Sequence, residues 1–166
     1  MYDLLSATAE GQFSIRPFEY YRSFWQRFES AGLGQLFFAK VDNQVVAGAY
    51  AMVYGAKSTY KDGASVRNRP AYGSSHLLQW RVIEWAKNRG SVWHDFCGAP
   101  PSDQINNPDH PHYGIGRFKL SFSKNVVDYI GDVDAVIAPT RFKLWQKFGE
   151  RLFHKLYYLK HHDYYY

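Results

Sequence analysis

Apolar residues recur at three- and four-residue intervals in three parts of this chain, which predicts three amphipathic helices. The first follows Pro17 and ends before Gly32. The second runs from Ser74 or Ser75 through residue 88, with Leu78, Val82 and Trp85 on its buried side. The third covers residues 139 to about 160, and its apolar stripe is predicted to be core; the stripe consists of Trp145, Phe148, Leu152, Leu156 and Leu159.

Between these helices lie short runs rich in β-branched and aromatic residues, which predict strands. Residues 34–41 and 45–53 are joined by Asp42, Asn43 and Gln44, a pattern typical of a three-residue hairpin loop. Further strands are predicted at 58–65, 91–96 and 126–130, and a short helix near 116–122. Alternation of helices and strands without a linker or a repeat indicates a mixed α and β fold.

A long loop is predicted at residues 98–112, which are rich in Pro, Asp and Asn. Long loops in compact domains commonly carry function. His110 and His112, with Asp109 beside them, suggest a metal hypothesis, but no third ligand follows at a suitable spacing. We therefore predict no metal site.

Composition and charge narrow the functional class. At 46% apolar and 19% aromatic, 166 residues suit one domain with its own core. The net charge is +5, and residues 114–166 carry nine Lys or Arg against five acids. This surplus favours a polyanionic partner such as tRNA, while a solvated basic face without a partner stays an alternative.

No apolar run is long enough to cross a membrane, and the first residues lack a signal-peptide pattern. We expect a cytoplasmic protein, with peripheral contact at the inner membrane face as an open alternative. The single cysteine, Cys97, excludes an internal disulfide, and no base beside it in the sequence supports a nucleophilic role.

The segment GIGRFK at residues 114–119 is the most informative candidate for chemistry. Gly114 and Gly116 allow close approach of the backbone to a ligand. Arg117 and Lys119 then lie at the start of the predicted helix, where they are placed to hold a phosphate or a carbonyl oxygen.

This segment follows WHDFCG at residues 93–98 and, further upstream, YKDGAS at 60–65. The order resembles the second acyltransferase-like domain of the Fem family, the aminoacyl-tRNA-dependent transferases that build the peptide branches of bacterial peptidoglycan. Further blocks at 4–25, 35–39, 79–80, 86–87 and 109–111 support the resemblance. It implies an α+β fold, a single acyl-CoA N-acyltransferase (GNAT)-like domain with a mixed central sheet flanked by helices.

Family enzymes pair two such domains, so residues 1–166 would correspond to the C-terminal half of one. By the same resemblance, Lys119 would be catalytic and stabilise the negative charge that develops during acyl transfer, while Phe118 would stack on the terminal adenine of the tRNA. The other substrate-binding candidates are Gly114, Gly116, Arg117, Tyr60, Lys61 and Asp95.

Asp95, at the end of a predicted strand, is a general-base candidate, although an Asp there also commonly caps a turn. Two alternatives are open for Tyr60 and Lys61: their side chains line a cleft, or they are exposed residues of a strand. The candidate tRNA-binding residues recur at every fourth position of the last helix: Lys143, Lys147, Arg151 and Lys155.

Acetyltransferases with this fold bind the CoA pyrophosphate through Arg/Gln-x-x-Gly-x-Gly/Ala. The equivalent stretch here, residues 67–75, has Pro70 three positions before Gly73, which removes a cation and an amide donor. Acyl-CoA is therefore a disfavoured donor, and no cofactor is predicted.

Two functions remain open. The first is an aminoacyltransferase, or half of one, that moves an amino acid from aminoacyl-tRNA to the stem-peptide amine of a lipid-linked or UDP-linked muramyl peptide. The second is a non-catalytic module of a split or truncated transferase, which binds tRNA or a partner chain. A separate first-domain chain as partner would favour the enzyme, and the absence of one would favour the binding module.

Overall fold

The computed structural model describes residues 1–9, 13–68 and 72–163, and the chain divides into two compact units, Met1–Asn125 and Val126–Tyr166. The first unit holds a four-stranded sheet with helices on both faces. The described part of the second unit is helical after an irregular segment.

The sheet is mixed, as predicted, with strand order β1-β2-β3-β4. The strands are β1 Gly34–Val41, β2 Gln44–Tyr54, β3 Lys57–Ser65 and β4 Trp93–Asp95. The first three pair in antiparallel fashion, and β4 joins β3 in parallel. The β1–β2 hairpin has a two-residue turn, not the expected three-residue loop, because Asp42 and Asn43 both adopt positive φ and Gln44 already pairs with Val41.

Side chains on β2 alternate between two hydrophobic layers, because successive strand residues point to opposite faces. Tyr50 packs with Tyr21 and Trp25 of α2 (Phe18–Ser30) on one face. On the other face, a row of small residues lies against Leu78 and Val82 of α3 (Ser74–Asn88). The small residues are Ala47, Ala49 and Ala51, and they let α3 lie close to the sheet.

The first helix, α1 (Tyr2–Ala9), was not predicted. It covers the α2 face of the sheet through Leu5. Residues 2–9 contain only a short apolar pattern, so its helical structure depends on this tertiary packing.

The strand predicted at residues 126–130 is wrong, since residues 123–136 have no regular secondary structure. A run of β-branched and aromatic residues forms a strand only where a neighbouring strand pairs with its backbone N–H and C=O groups. Val127, Tyr129 and Ile130 are 59%, 77% and 94% exposed.

The predicted C-terminal helix is present as three consecutive parts: α5 Pro139–Leu144, a π-helical turn Trp145–Gly149 and α6 Glu150–His161. Its stripe is not core, because all five stripe residues are exposed, from 44% at Trp145 to 59% at Leu159. Helical spacing predicts an apolar face, but burial requires a second element to cover that face. None of the described helices has the length and apolar character needed to span a membrane.

Candidate functional site

The candidate site is built on the turn that follows β4, residues 95–98, here called the Asp95 turn. The Cys97 amide donates to Asp95 Oδ1 at 2.7 Å, and Cys97 has a φ of 59°. Lys57, at the start of the neighbouring strand, places its Nζ 2.6 Å from Asp95 Oδ2. Both carboxylate oxygens are therefore bound, and Asp95 caps the turn.

The electrostatics of Asp95 follow from these contacts. Burial alone would raise the pKa of Asp95, but the hydrogen bonds from Lys57 and the Cys97 amide, together with the charge of Lys57, hold that pKa below its ordinary value. Asp95 is consequently ionised at neutral pH and is a weak proton acceptor.

Lys119 bonds to the same turn from a different element. It belongs to α4 (Tyr113–Leu120), and its Nζ donates to the Gly98 carbonyl oxygen at 2.5 Å. Burial lowers the pKa of Lys119, while the nearby Cys97 and Asp95 oppose this shift. An ammonium has three N–H donors, so bonding to one carbonyl leaves donors for a substrate oxygen.

The pKa of the Cys97 thiol reflects both its burial and the charges around this turn. Burial and Asp95 raise the pKa of Cys97, whereas the charges of Lys119, Lys57 and Lys61 lower it. Lys57 and Lys119 also bond to this turn directly, through Asp95 and the Gly98 carbonyl oxygen. The structure brings together the predicted site residues Asp95 and Lys119 and adds Lys57, which was not predicted.

Helix α4 differs from its prediction in position. It begins at Tyr113, so Arg117 and Lys119 lie in its last turn and not in its first. There they complement the negative end of the helix dipole, and they do not form an anion site at a helix N-terminus. Arg117 also lies over the Tyr113 ring, with its Cζ 5.9 Å from the centroid.

The two glycines of α4 have different surroundings. A Cβ at Gly116 would lie 2.8 Å from Pro100 Cδ and 3.2 Å from Ile105 Cδ1. The close approach at Gly116 therefore seats the 98–112 loop on the helix. Gly114 faces open space, where an added Cβ would meet no atom within 4 Å, and its ligand-binding role stays a prediction.

Phe118 packs in an aromatic cluster, here defined as His76, Phe96, Phe118 and Phe122. The rings of His76 and Phe96 each stack on Phe122, at 5.4 and 5.3 Å, and Phe118 meets His76 edge-on. These contacts hold α4 against the start of α3. Stacking of Phe118 on an adenine stays a prediction.

Tyr60 and Lys61 lie at a β-bulge in β3, where Tyr50 pairs with Asp62 and Ala51 pairs with Tyr60. Lys61 bonds Asp62 at 3.2 Å on the α2 face of the sheet. Tyr60 packs with the α3-face cluster, and burial followed by Asp62 raises the pKa of Tyr60 to about 12. The two side chains therefore lie on opposite faces of the sheet.

A second group that the sequence analysis missed is buried beside the turn. His94 bonds Ser58 and Gln79, and both of those partners are at most 1% exposed. A signal was available, since Gln79 is a polar residue directly beside the predicted buried stripe of α3.

Among the described residues, no three His, Cys, Asp or Glu side chains come together as metal ligands. His110 Nδ1 accepts the His112 amide at 3.1 Å, which shapes the loop. In the second unit, all four candidate tRNA-binding residues are exposed: Lys143 in α5, Lys147 in the π-helical turn, and Arg151 and Lys155 in α6. Residues 69–71 of the CoA-loop comparison, including Pro70, lie outside the described residues.

Comparison with known proteins adds three findings. The FemAB family model matches residues 32–149. The lipid II:glycine glycyltransferases of Staphylococcus epidermidis and Staphylococcus haemolyticus are each 30% identical, over 107 and 109 residues, or 64% of this chain and 25% of theirs. The chain therefore spans about a quarter of the length of the curated relatives it matches.

Solved structures support the fold. FemX superposes with a TM-score of 0.72 and 19% identity, over 88% of this chain and 52% of FemX. The aminoglycoside N-acetyltransferase AAC(6')-Iy has a TM-score of 0.60 and 12% identity, over 81% of this chain and 86% of its own. These similarities confirm the predicted GNAT-like α+β fold. The correspondence of residues 1–166 to one half of a two-domain enzyme stays a prediction.

Proposed function

Because this chain belongs to the FemAB family, we propose that it is an aminoacyltransferase, or part of one, that extends the peptide branches of peptidoglycan. The donor would be an aminoacyl-tRNA and the acceptor a stem-peptide amine on a lipid-linked or UDP-linked muramyl peptide. The lipid II acceptor named for its staphylococcal relatives supports the lipid-linked form.

The observation that carries this proposal is the position of Lys119 on the Asp95 turn. In aminoacyl transfer, the amine nitrogen attacks the ester carbonyl carbon, a C–N bond forms and the carbonyl oxygen becomes an oxyanion. The ester C–O bond then breaks, the tRNA hydroxyl leaves with a proton, and the attacking nitrogen loses one. An ammonium fixed by Gly98 is suited to bind the oxyanion, and preorganised donors of this kind contribute roughly 3–4 kcal/mol.

In this proposal Asp95 does not act as the general base. Its carboxylate is bonded to Lys57 and to the Cys97 amide, and its pKa is held low. A carboxylate so stabilised accepts a proton poorly. Asp95 instead holds the turn and pairs with Lys57.

The alternative is a non-catalytic module that binds tRNA or a partner chain. One observation favours it, the exposed apolar stripe of the second unit with exposed basic residues on the same helical segment. Exposed apolar surface of this kind is typical of interaction sites.

A transfer assay separates the two functions. The full chain is incubated with tRNA charged with labelled amino acids and with lipid II or UDP-linked muramyl pentapeptide. Parallel reactions contain the part of the S. epidermidis relative that this chain does not match. The proposal expects label in the muramyl peptide in at least one combination. Binding of tRNA without transfer in every combination would overturn it and support the binding module.

A further inference from the structure

A chain of partly buried hydrogen bonds connects α3 to the last strand before the Asp95 turn. Gln79 Nε2 lies 2.7 Å from His94 Nε2, and His94 Nδ1 lies 2.8 Å from Ser58 Oγ. Ser58 Oγ in turn donates to the Trp93 carbonyl oxygen at 3.1 Å. Ser58 and Gln79 are 0% and 1% exposed, so both side-chain partners of His94 are shielded from water.

The hydrogen bonds of this network all point the same way, from Gln79 through His94 and Ser58 to the Trp93 carbonyl oxygen. A side-chain amide nitrogen only donates, so Gln79 Nε2 requires His94 Nε2 to accept. The imidazole proton then lies on Nδ1, which donates to Ser58 Oγ, and the Ser58 hydroxyl donates its proton to the Trp93 carbonyl. Burial lowers the pKa of His94 to about 4, against the opposing charge of Asp95, so the ring is neutral at physiological pH.

The strand held by this network is short. Strand β4 has three residues, and Ser58 and His94 are direct register partners in its pairing with β3. Three residues give few backbone hydrogen bonds, so the side-chain network contributes much of what fixes β4 to β3 and α3. The next residue is Asp95, which orders Cys97, and Gly98 then holds Lys119.

We propose that His94 is a positioning residue: together with Gln79 and Ser58 it fixes the end of β4 so that the Asp95 turn holds Lys119 where the acyl group reacts. This inference rests on the proposed function. It needs no contact between His94 and substrate. Misplacement of a reacting group by about 1 Å costs about 100-fold in rate, so a loosened turn lowers turnover more than binding.

Three variants test the network in the full chain. His94→Leu removes both hydrogen bonds, and His94→Gln retains a polar amide at the same place. Gln79→Glu keeps the size of Gln79 but turns a donor into an acceptor, which favours a proton on His94 Nε2. Val82→Ala is the matched control, because it weakens the same face of α3 without touching the network.

We expect His94→Leu and Gln79→Glu to lower kcat by at least about tenfold, with KM for aminoacyl-tRNA changed less than about threefold. His94→Gln should recover part of kcat. The pH dependence of kcat in Gln79→Glu should also differ from that of the unaltered chain, because the new carboxylate favours protonation of His94. Val82→Ala should keep near-normal kcat below its melting temperature. Equal losses of kcat in Val82→Ala and Gln79→Glu would overturn the proposal.

A second measurement does not need activity. Hydrogen exchange at the Cys97 amide reports whether the Asp95 turn is held, since this amide donates to Asp95. Exchange should accelerate at least about tenfold in Gln79→Glu and stay near normal in Val82→Ala. Unchanged exchange in Gln79→Glu contradicts the positioning role, whereas an inactive unaltered chain contradicts the proposed function.

Discussion

Acidification should destabilise this protein through His94 well before the carboxylates titrate. The native pKa of His94 is about 4, against an ordinary value of 6.5 in the unfolded chain, because burial disfavours the charged ring. Above pH 6.5 the ring is neutral in both states, and the full stability is present. Between pH 6.5 and 4 the unfolded chain takes up a proton that the native chain does not, so stability is lost as the pH falls.

The magnitude follows from the pKa difference. Each pH unit below 6.5 lowers the free energy of unfolding by about 1.4 kcal/mol, which gives about 2 kcal/mol at pH 5. His94 is only partly buried, and residual solvent screens its charge. We therefore expect a loss of about 1 kcal/mol between pH 7 and pH 5.

Urea unfolding at pH 7 and pH 5, followed by circular dichroism, measures this loss. His94→Gln cannot take up the proton, so its free energy of unfolding should fall by about 1 kcal/mol less than that of the unaltered chain over the same interval. Other ionisable groups affect both chains alike and cancel in the comparison.

Nitrogen NMR of the imidazole gives an independent measurement of the same ring. His94 should show one neutral tautomer, with the proton on Nδ1, from pH 7 down to pH 5. Equal pH dependence in both chains, or a His94 ring that protonates near pH 6.5, would refute the reasoning.

Two further predictions concern the glycines of α4 and the basic helix. Gly116→Ala should lower the free energy of unfolding in urea by about 1–3 kcal/mol, because the added Cβ meets Pro100. Gly114→Ala should leave it unchanged or raise it by up to about 1 kcal/mol, since the added Cβ meets no atom. Equal effects of the two variants would contradict this packing. Changing Lys147 and Arg151 to Glu should weaken tRNA binding and make it less dependent on salt, with little change in melting temperature. An unchanged salt dependence would show that these residues form a solvated face without a tRNA contact.

The elements of the first unit were mostly predictable because their patterns are local. Strands β1 to β3 and helices α2 and α3 were placed within a few residues of their bounds. The hairpin turn was misjudged by one residue, since an Asp-Asn pair in positive φ closes a shorter loop. Helix α1 was missed because its stability depends on packing against the sheet.

The errors in the second unit have a different cause. Residues 126–130 are rich in apolar residues and the C-terminal helix has a periodic apolar stripe, yet Val127, Tyr129, Ile130 and all five stripe residues are exposed. Periodicity shows which face is apolar, but it carries no information about the element that covers the face. Sequence patterns alone therefore predicted burial that the described structure does not contain.

The site was predictable in its motif and not in its geometry. The Fem-like blocks placed Asp95 and Lys119 in one candidate site. In the structure Asp95 bonds Cys97 and Lys119 bonds Gly98, so both contact the turn at residues 95–98. The bonds that define their chemistry come from Lys57, His94 and Gln79. These residues are separated along the chain and meet through the pairing of β3 with β4 and the packing of α3 on the sheet. The spacing of residues along the sequence does not predict those contacts.

The central claim, that Lys119 stabilises the oxyanion of aminoacyl transfer, is tested most directly by turnover of Lys119→Ala in the transfer assay. We expect turnover to fall by at least about 100-fold in Lys119→Ala, with a much smaller loss of aminoacyl-tRNA binding. Lys119→Arg should recover part of the turnover, and the exposed control Lys124→Ala should keep near-normal turnover. Near-normal turnover of a folded Lys119→Ala would contradict the account.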